Sequence, residues 1–274
     1  MTMLLNVIHW KFDPILFKLG PLTVAWYGAC FAAAFLLGNW LMKKMFVKEN
    51  RNVDDLEALF IYMVVGTILG ARLGHCFFYQ PGYYFSHPLE IIQVWKGGLA
   101  SHGGAIGIFL ALFLFSKKYK YSYLEVLDRI VLPVALAGFF IRLGNFFNSE
   151  IVGTITDRPW GVVFENKIRY LGTAARHPAQ MYESLCYLAI FVLLALLFYK
   201  KDAGNYRGRL LGIFLTLVFG CRFLIEFVKS RQADFGHNFI LSMGQVLSLP
   251  MIILGLILLV RAKSLKTVAS DTTL

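Results

Sequence analysis

The sequence predicts an all-α polytopic membrane protein with seven transmembrane helices. Of its 274 residues, 58% are hydrophobic and only 16% are charged, and the mean hydropathy is +0.62. This composition is too apolar for an ordinary soluble domain and excludes a disordered chain. Apolar runs of about 18–22 residues recur along the chain, and each can cross a hydrocarbon core of about 30 Å. Lysines and arginines gather in alternate connections between these runs, as they do in membrane proteins.

Seven apolar runs are predicted to span the membrane, and the whole chain (residues 1–274) is predicted to form one integral-membrane domain. The second and fourth runs contain both Gly and Arg, which transmembrane helices tolerate where protein surrounds them. The predicted spans are Leu22–Met42, Leu56–Tyr79, Gly98–Phe115, Asp128–Phe147, Met181–Tyr199, Arg209–Val228 and Met243–Val260.

The basic residues predict the orientation. They are concentrated after the first, third, fifth and seventh spans, for example at Lys43 and Lys44, Lys117 and Lys118, Arg207 and Arg209, and Arg261 and Lys263. Because cytoplasmic connections carry the excess of Lys and Arg, the N-terminus is predicted to be periplasmic and the C-terminus cytoplasmic. The net charge of +11 then suits an anionic membrane surface and not nucleic acid.

Two connections on the predicted periplasmic side are more than linkers. Residues 80–97 combine aromatic residues with a proline and a lysine, a mixture typical of the membrane interface, and predict an interfacial arm. Residues 148–178 contain two short apolar stretches, 160–164 and 168–171, separated by polar residues. These stretches predict two strands and a turn, and therefore a small periplasmic head between the fourth and fifth spans.

Several polar residues fall at one depth of the predicted bundle. Arg142 and Arg222 lie roughly 8–9 Å below the outer ends of the fourth and sixth spans, at about 1.5 Å per residue. His102 and Tyr27 lie roughly 6–7 Å inside the third and first spans. Ionisable groups at membrane depth are costly and usually mark a functional site. The sequence therefore predicts a polar site in the outer leaflet, near the level of phospholipid phosphates.

Each of these residues also has a structural interpretation. Arg72 is close to an outer helix end, and we expect it to snorkel towards the interface without a functional role. Arg222 and Glu226 have i,i+4 spacing and could form an ion pair within one helix. Arg142 has no acidic residue one turn away in its helix, which favours a functional role. His102 stands between two Gly-Gly pairs, which could equally be a close-packing face.

The residue types limit the chemistry. Two guanidiniums can hold a phosphate with paired hydrogen bonds, and a neutral histidine can remove a proton. The sequence has no serine nucleophile motif, no HExxH motif, no glycine-rich phosphate loop and no Asp-rich motif. The four cysteines lie in apolar runs without metal-binding spacing, so packing is predicted for them. We therefore predict direct group transfer without a metal or cofactor.

Two other classes of protein remain as alternatives. A transporter would explain polar groups inside helices, but transporters usually place them near the midplane and contain repeats, which are not evident here. A seven-helix receptor or other binding protein would explain the number of spans, but it gives no reason for two buried arginines beside a histidine.

Seven segments carry a resemblance to a known family. They are Ala25–Gly28, Gly70–Gly74, Gly97–Gly104, Arg142–Gly153, Arg176–Glu183, Arg222–Phe227 and Ser242–Met251. In residue types and in order they resemble segments of the prolipoprotein diacylglyceryl transferases. The resemblance covers most of the chain, and the segment from Arg142 to Gly153 is highly specific.

The resemblance implies an enzyme of the bacterial inner membrane with its active site near the periplasmic leaflet. It implies transfer of the diacylglyceryl group from phosphatidylglycerol to the lipobox cysteine of a preprolipoprotein, with release of glycerol 1-phosphate. It also implies seven spans with a periplasmic N-terminus, in agreement with the charge distribution. By the family pattern the catalytic residues are His102, Arg142 and Arg222, and the lipid-binding residues are Tyr27, Arg142, Asn145, Glu150, Gly153, His177 and Arg222.

Within this pattern, Arg142 and Arg222 would hold the phosphate, and His102 would be the base for the incoming thiol. A free thiol is already a few per cent thiolate at neutral pH, so a cationic pocket could activate it without a base. A related enzyme acting on another phospholipid is a further alternative. The chain departs from the family at Val218, where a tyrosine is common one turn before the second arginine. The role of that hydroxyl must be dispensable or taken by another group.

Overall fold

The computed structural model describes residues 7–20, 22–200, 203–230 and 241–264, and these residues are mostly helical. In chain order the strands and helices are β1 (Ile8–Trp10), β2 (Ile15–Leu19), β3 (Leu22–Ala25), α1 (Trp26–Lys48), α2 (Asp54–Phe78), α3 (Pro81–Ser86), α4 (Ser101–Lys118), α5 (Tyr123–Phe147), β4 (Val162–Phe164), α6 (Ile168–Leu171), α7 (Ala179–Lys200), β5 (Tyr206–Arg207), α8 (Arg209–Ile225), α9 (Met243–Arg261) and β6 (Lys263–Ser264). One-turn 3-10 helices lie at Pro88–Glu90, Val94–Lys96, Glu165–Lys167, Ala203–Asn205 and Glu226–Val228.

Six of the described helices are long and apolar enough to cross a membrane, by length and composition. They are α1, α2, α5, α7, α9, and α8 with the 3-10 turn that follows it. The chain is therefore a multi-pass helical membrane protein. The second and fourth predicted spans, which contain both Gly and Arg, correspond to α2 and α5, and both are among the six. The predicted third span corresponds to α4, which has 18 residues and two lysines in its last turn and is not among the six. The count of seven spans and their orientation stay predictions.

The chain forms two compact units, which we describe separately. The first comprises residues 1–41 and 128–274, and the second comprises residues 42–127. In the first unit, β2 and β3 form an antiparallel hairpin that leads into α1. The first span was predicted to begin at Leu22, but the helix begins at Trp26 because residues 22–25 pair with β2 instead.

The periplasmic head predicted at residues 148–178 is only partly as expected. Its first stretch contains β4, but β4 pairs in parallel with β1, with Ile8 opposite Val162. The prediction of a second strand at 168–171 is wrong, because these residues form the one-turn helix α6 directly after a 3-10 turn. The partner strand comes from the distant N-terminal segment, so no local pattern could indicate the pairing. Phe146 packs with Phe164 beneath the strands.

In the second unit, α2 and α4 pack through their glycines. A Cβ added to Gly74 would lie 2.7 Å from Cα of Gly103, and one added to Gly66 would lie 2.6 Å from Cβ of Ala111. Such close backbone contact is typical of helix pairs in membranes. The close-packing interpretation of the glycines next to His102 is therefore confirmed for Gly103.

Arg72 organises the arm at residues 80–97, which belongs to the same unit. Only 2% of its surface is exposed, and its guanidinium donates hydrogen bonds to the carbonyls of Glu90, Ile91 and Gly97. It also stacks over the ring of Tyr84. The prediction that Arg72 snorkels to the interface is wrong, because the carbonyls of the arm satisfy its donors inside the protein. Its role is structural, as expected.

Candidate active site

Arg142 is held by an acid from a neighbouring helix. It lies five residues before the end of α5, and its Nε is 2.8 Å from Oε2 of Glu183 on α7. Its Nη1 donates to Oδ1 of Asn145, one turn later, at 3.4 Å. Glu183 is fully buried, and a buried carboxylate requires such a cationic partner. Arg142 has no acid one turn away in its own helix, as the sequence indicates, and α7 supplies one.

Glu183 is shared with a second cation. Nζ of Lys229 donates to Oε1 of Glu183 at 3.2 Å, and only 8% of Lys229 is exposed. The same Nζ lies 3.9 Å from Oε2 of Glu226. Lys229 follows the end of α8, and its backbone forms a β-bridge with Gly153. Lys229 lies just beyond the predicted sixth span, which ends at Val228, and the structure places it in the ionic cluster.

Arg222, the second predicted arginine, is half-buried on α8. Within the described ranges it has no carboxylate within ion-pair distance. The charges of Arg222 and Arg142 both act on the side chain of Tyr187, one turn after Glu183 on α7. Tyr187 therefore belongs to the same charged region of the first unit as the two predicted phosphate-binding arginines. It brings a hydroxyl to the site from α7, although Val218 on α8 lacks one.

The ion pair that the spacing of Arg222 and Glu226 allowed is replaced by another. Glu226 contacts Lys229 and packs against Gly244 of α9, where an added Cβ would lie 2.6 Å from its Oε1. The α-helix ends at Ile225 and Glu226 begins a 3-10 turn, which changes the direction of its side chain relative to an α-helical i,i+4 pair. The absence of a side chain at Gly244 thus makes room for the carboxylate of Glu226.

The cluster has one positive charge in excess among the described residues. Its cations are Arg142, Arg222 and Lys229, and its carboxylates are those of Glu183 and Glu226. A partly buried site with this balance favours a singly charged anion, because an uncompensated cation is costly in a low-dielectric environment. A phosphodiester carries that charge.

Gly153 stands where three chain segments meet. Its N–H donates to the carbonyl of His177 at 2.8 Å, and an added Cβ would lie 2.6 Å from that carbonyl oxygen and from the oxygen of Val228. The chain reaches it through two residues with positive φ, Ser149 (+55°) and Ile151 (+57°). Such conformations persist only where the surroundings enforce them. Gly153 thus lets the segments that carry Glu150, His177 and Lys229 come together.

Two other predicted residues, Tyr27 and His177, pack against the elements that carry this crossing and Arg142. The ring of Tyr27 on α1 packs against Gly144 of α5, where an added Cβ would lie 2.9 Å from Cδ2 of the ring. Nδ1 of His177 lies 3.1 Å from Oη of Tyr182, which also accepts a hydrogen bond from Trp160 at 2.8 Å. These contacts fix Tyr27 to the same helix as Arg142 and fix His177 within the head.

Glu150 does not belong to the ion pairs described above. It is exposed, its carboxylate accepts a hydrogen bond from Asn148 at 3.3 Å, and its backbone carbonyl accepts one from the buried amide of Gln180. Oε1 of Gln180 has no partner among the described residues. The turn after α5 is therefore fixed through the backbone, and the Glu150 side chain stays accessible.

His102 belongs to the second unit. It is the second residue of α4, and its side chain is exposed. Arg142, Asn145 and Arg222 thus belong to the first unit, whereas His102 belongs to the second.

Sequence reasoning missed three residues of the cluster as site residues. Glu183 ends the segment Arg176–Glu183, which carries part of the family resemblance, but the sequence indicates no site role for it. Tyr187 follows it by four residues and so lies on the same face of α7, a signal that its apolar surroundings concealed. Lys229 could not be identified, because its position depends on the end of α8.

The fold and the site together define a multi-pass helical membrane protein with a partly buried cluster of cations suited to an anionic headgroup. A family model described as prolipoprotein diacylglyceryl transferase matches residues 14–261. The chain belongs to this family and is an enzyme, a transferase of lipoprotein biosynthesis. The family resemblance of its sequence segments is therefore confirmed.

Relatives from distant bacteria match almost the whole chain. The phosphatidylglycerol–prolipoprotein diacylglyceryl transferase of Chloroherpeton thalassium is 51% identical over 255 residues, which cover 93% of this chain and 94% of the relative. The protein of the same name from Tolumonas auensis is 48% identical and covers 92% and 96% of the two chains. That of Porphyromonas gingivalis is 45% identical and covers 93% and 94%.

Proposed function

We propose that this protein transfers the diacylglyceryl group of phosphatidylglycerol to the lipobox cysteine of a preprolipoprotein and releases glycerol 1-phosphate. The observation that carries the proposal is the partly buried ionic cluster in which Arg142 lies 2.8 Å from Glu183, with one excess positive charge when Arg222 is counted. The names of the relatives give the lipid and the protein substrate. The distribution of basic residues supports a bacterial inner-membrane location with the site in the periplasmic leaflet.

In the proposed reaction the thiolate attacks the carbon of the diacylglycerol unit that is bonded to a phosphate oxygen. The carbon–sulfur bond forms while the carbon–oxygen bond breaks, and the electron pair stays on the departing phosphate oxygen. The phosphate changes from a monoanion to a species with a second negative charge. Arg142 and Arg222 stabilise this developing charge, which is the kind of interaction that lowers a reaction barrier. Arg222, with no ion-pair partner in the described ranges, has donors to offer the lipid.

The remaining predicted residues have supporting roles in this proposal. Asn145 holds the guanidinium of Arg142, Tyr27 fixes the packing of α1 on α5, and Gly153 allows the head segments to meet the helix ends. Glu150 helps to shape the lipid site, and His177, 3.1 Å from Oη of Tyr182, helps to arrange the head. His102 takes the proton of the thiol.

The function is tested by measuring glycerol-phosphate release from phosphatidylglycerol vesicles with purified protein and a lipobox peptide. We expect release that requires the thiol, together with a matching mass gain on the peptide. The control peptide carries Ser in place of the lipobox Cys. If the peptide gained mass in vesicles made of another phospholipid but not in phosphatidylglycerol vesicles, phosphatidylglycerol would not be the lipid donor. Absence of release in detergent and in vesicles alike would favour a binding protein or a transporter.

The base is tested separately by His102→Gln. This variant keeps a hydrogen-bonding side chain but cannot accept a proton at neutral pH, so we expect turnover to fall about 10²–10⁴-fold. Binding of phosphatidylglycerol should remain. Unchanged turnover would show that the cationic pocket alone activates the thiol.

A further inference from the structure

Arg72 contacts the chain immediately before α4, the helix on which His102 lies. Its Nη1 donates hydrogen bonds to the carbonyls of both Gly97 and Gly98. These glycines have φ values of +83° and +71°, and an added Cβ on Gly98 would lie 2.9 Å from the same Nη1. The two residues therefore form a tight turn that packs directly on the guanidinium.

The first turn of α4 has no side-chain cap. Ala100 occupies the N-cap position, where a side-chain oxygen usually accepts a hydrogen bond from the first turn of a helix. The chain here is held from α2 instead. The N–H of Ala100 donates to the carbonyl of Ala71 at 2.9 Å, and Arg72, the next residue of α2, holds the turn before it. Two consecutive residues of α2 thus determine where α4 begins.

The contacts of Arg72 require a guanidinium. Its Nε donates to the carbonyl of Ile91 and its Nη2 to that of Glu90, while Nη1 serves Gly97 and Gly98. All three nitrogens of the planar fork are therefore in use. An ammonium has its three protons on one nitrogen and cannot reach carbonyls placed around such a fork. Lysine at this position would keep the charge but lose most of these hydrogen bonds.

We propose that Arg72 is a positioning residue for His102. The inference rests on the proposed function, in which His102 takes the proton of the thiol. His102 is the second residue of α4 and its side chain is exposed, so its position depends on where the helix begins. A general base must lie within hydrogen-bond reach of the proton that it takes, and a displacement of about 1 Å can cost about 100-fold in rate.

The first test is the turnover of Arg72→Lys. We expect kcat for glycerol-phosphate release to fall about 10–100-fold at neutral pH, because the base is displaced. Binding of phosphatidylglycerol vesicles should be unchanged. Arg51→Lys is the matched control and should keep full activity. Arg51 belongs to the same unit and stacks over Tyr121 as Arg72 stacks over Tyr84, but it lies before the start of α2.

A change of pH separates displacement of the base from general damage to the protein. A thiol with a pKa of about 8.5 is a few per cent ionised at neutral pH and mostly ionised at about pH 9, a gain of roughly 20-fold in thiolate. A variant without a working base depends on this thiolate, so Arg72→Lys and His102→Gln should both recover about 10-fold in kcat, and the wild type should gain much less. His75, whose ring packs against Gly98, is present in every protein compared, so its titration does not distinguish them. Absence of recovery in Arg72→Lys would overturn the inference.

A double variant tests whether Arg72 acts through His102. Combined with His102→Gln, Arg72→Lys should lower kcat little further, because the base that it positions is already absent. If the two losses multiplied, Arg72 would act in another way and the inference would be overturned.

Gly97→Ala disturbs the same turn without replacing the arginine. The added Cβ meets nothing within 4 Å, but side chains rarely adopt a φ of +83°, so the backbone and its carbonyl must shift. We expect a fall in kcat of about 3–10-fold, with the same recovery at high pH. Gly20→Ala, at a φ of +57° between β2 and β3 with nothing within 4 Å, is the matched control and should keep full activity. If Arg72→Lys does not fold, an unchanged kcat in Gly97→Ala overturns the inference.

Failure of the proposed function would give a different result. A wild-type protein that binds phosphatidylglycerol but releases no glycerol phosphate would refute the function and, with it, the inference. With an active wild type, an unchanged kcat in Arg72→Lys or in His102→Gln would overturn the inference and leave the function intact.

Discussion

Arg142 shows how a single residue can be prepared for catalysis by its neighbours. Glu183 balances its charge, while Asn145 accepts a hydrogen bond from it. Because Nε and Nη1 of Arg142 already contact Glu183 and Asn145, the plane of the guanidinium is fixed. Its remaining N–H groups therefore keep a fixed direction before the lipid binds. Fixed donors need no reorganisation when charge develops in the transition state. The geometry thus depends on the planar fork of arginine and not only on its charge.

Arg142→Lys should therefore retain the ion pair with Glu183 but lose the paired hydrogen bonds. We expect kcat/KM for glycerol-phosphate release to fall at least about 100-fold, the usual loss when a transition-state donor is removed. Arg51→Lys is the control, because Arg51 is also paired with acids, Glu49 and Glu125, but belongs to the second unit. Near-normal turnover of Arg142→Lys would show that a point charge is sufficient at this position.

The two arginines of this site were predictable from the sequence, whereas their partners were not. An arginine in an apolar run is conspicuous because it is costly at membrane depth, and this marked Arg142 and Arg222. Tyr187 is not conspicuous, because tyrosine is common in apolar helices. The i,i+4 rule suggested a pair between Arg222 and Glu226, but it holds only within a continuous α-helix, and α8 ends between them.

At the scale of elements, long helices and short strands differ in how much the local sequence determines. Each of the six long apolar helices is defined by its own composition, so the sequence located all of them to within a few residues. The strand β4 depends on β1, which is more than 150 residues away in sequence, and no local pattern encodes that partner. In the head the sequence therefore located β4 but could not predict its pairing with β1 or the helix at 168–171.

Two glycines offer a matched comparison at this scale. Gly153→Ala places a methyl group against backbone carbonyls, which cannot turn aside, so we expect a loss of about 1–3 kcal/mol of stability. Gly220→Ala meets nothing within 4 Å and replaces a glycine within α8, so we expect stability to be equal or up to about 1 kcal/mol higher. Thermal unfolding of the two purified variants in one detergent measures both. Equal changes in the stability of the two variants would contradict the view that three chain segments pack closely around Gly153.

At the scale of the whole molecule, the number of spans determines on which side of the membrane each connection lies. With seven spans the two termini lie on opposite sides, and with six they lie on the same side. The helix α4 decides between these arrangements, because it is the predicted span that falls outside the six. Its last turn carries Lys117 and Lys118, which favour a cytoplasmic end and therefore a helix that crosses from the periplasmic arm.

Reporter fusions that are active on only one side of the membrane test this arrangement. A fusion after Ser86 follows two spans and should be periplasmic, and a fusion after Tyr121 should be cytoplasmic if α4 crosses. A fusion at the C-terminus should then also be cytoplasmic. A periplasmic result after Tyr121 and at the C-terminus would mean that α4 does not cross. The first residues of α4, including His102, would then lack the transmembrane position that the proposed base requires, and only the arginine cluster of the first unit would remain as the candidate site.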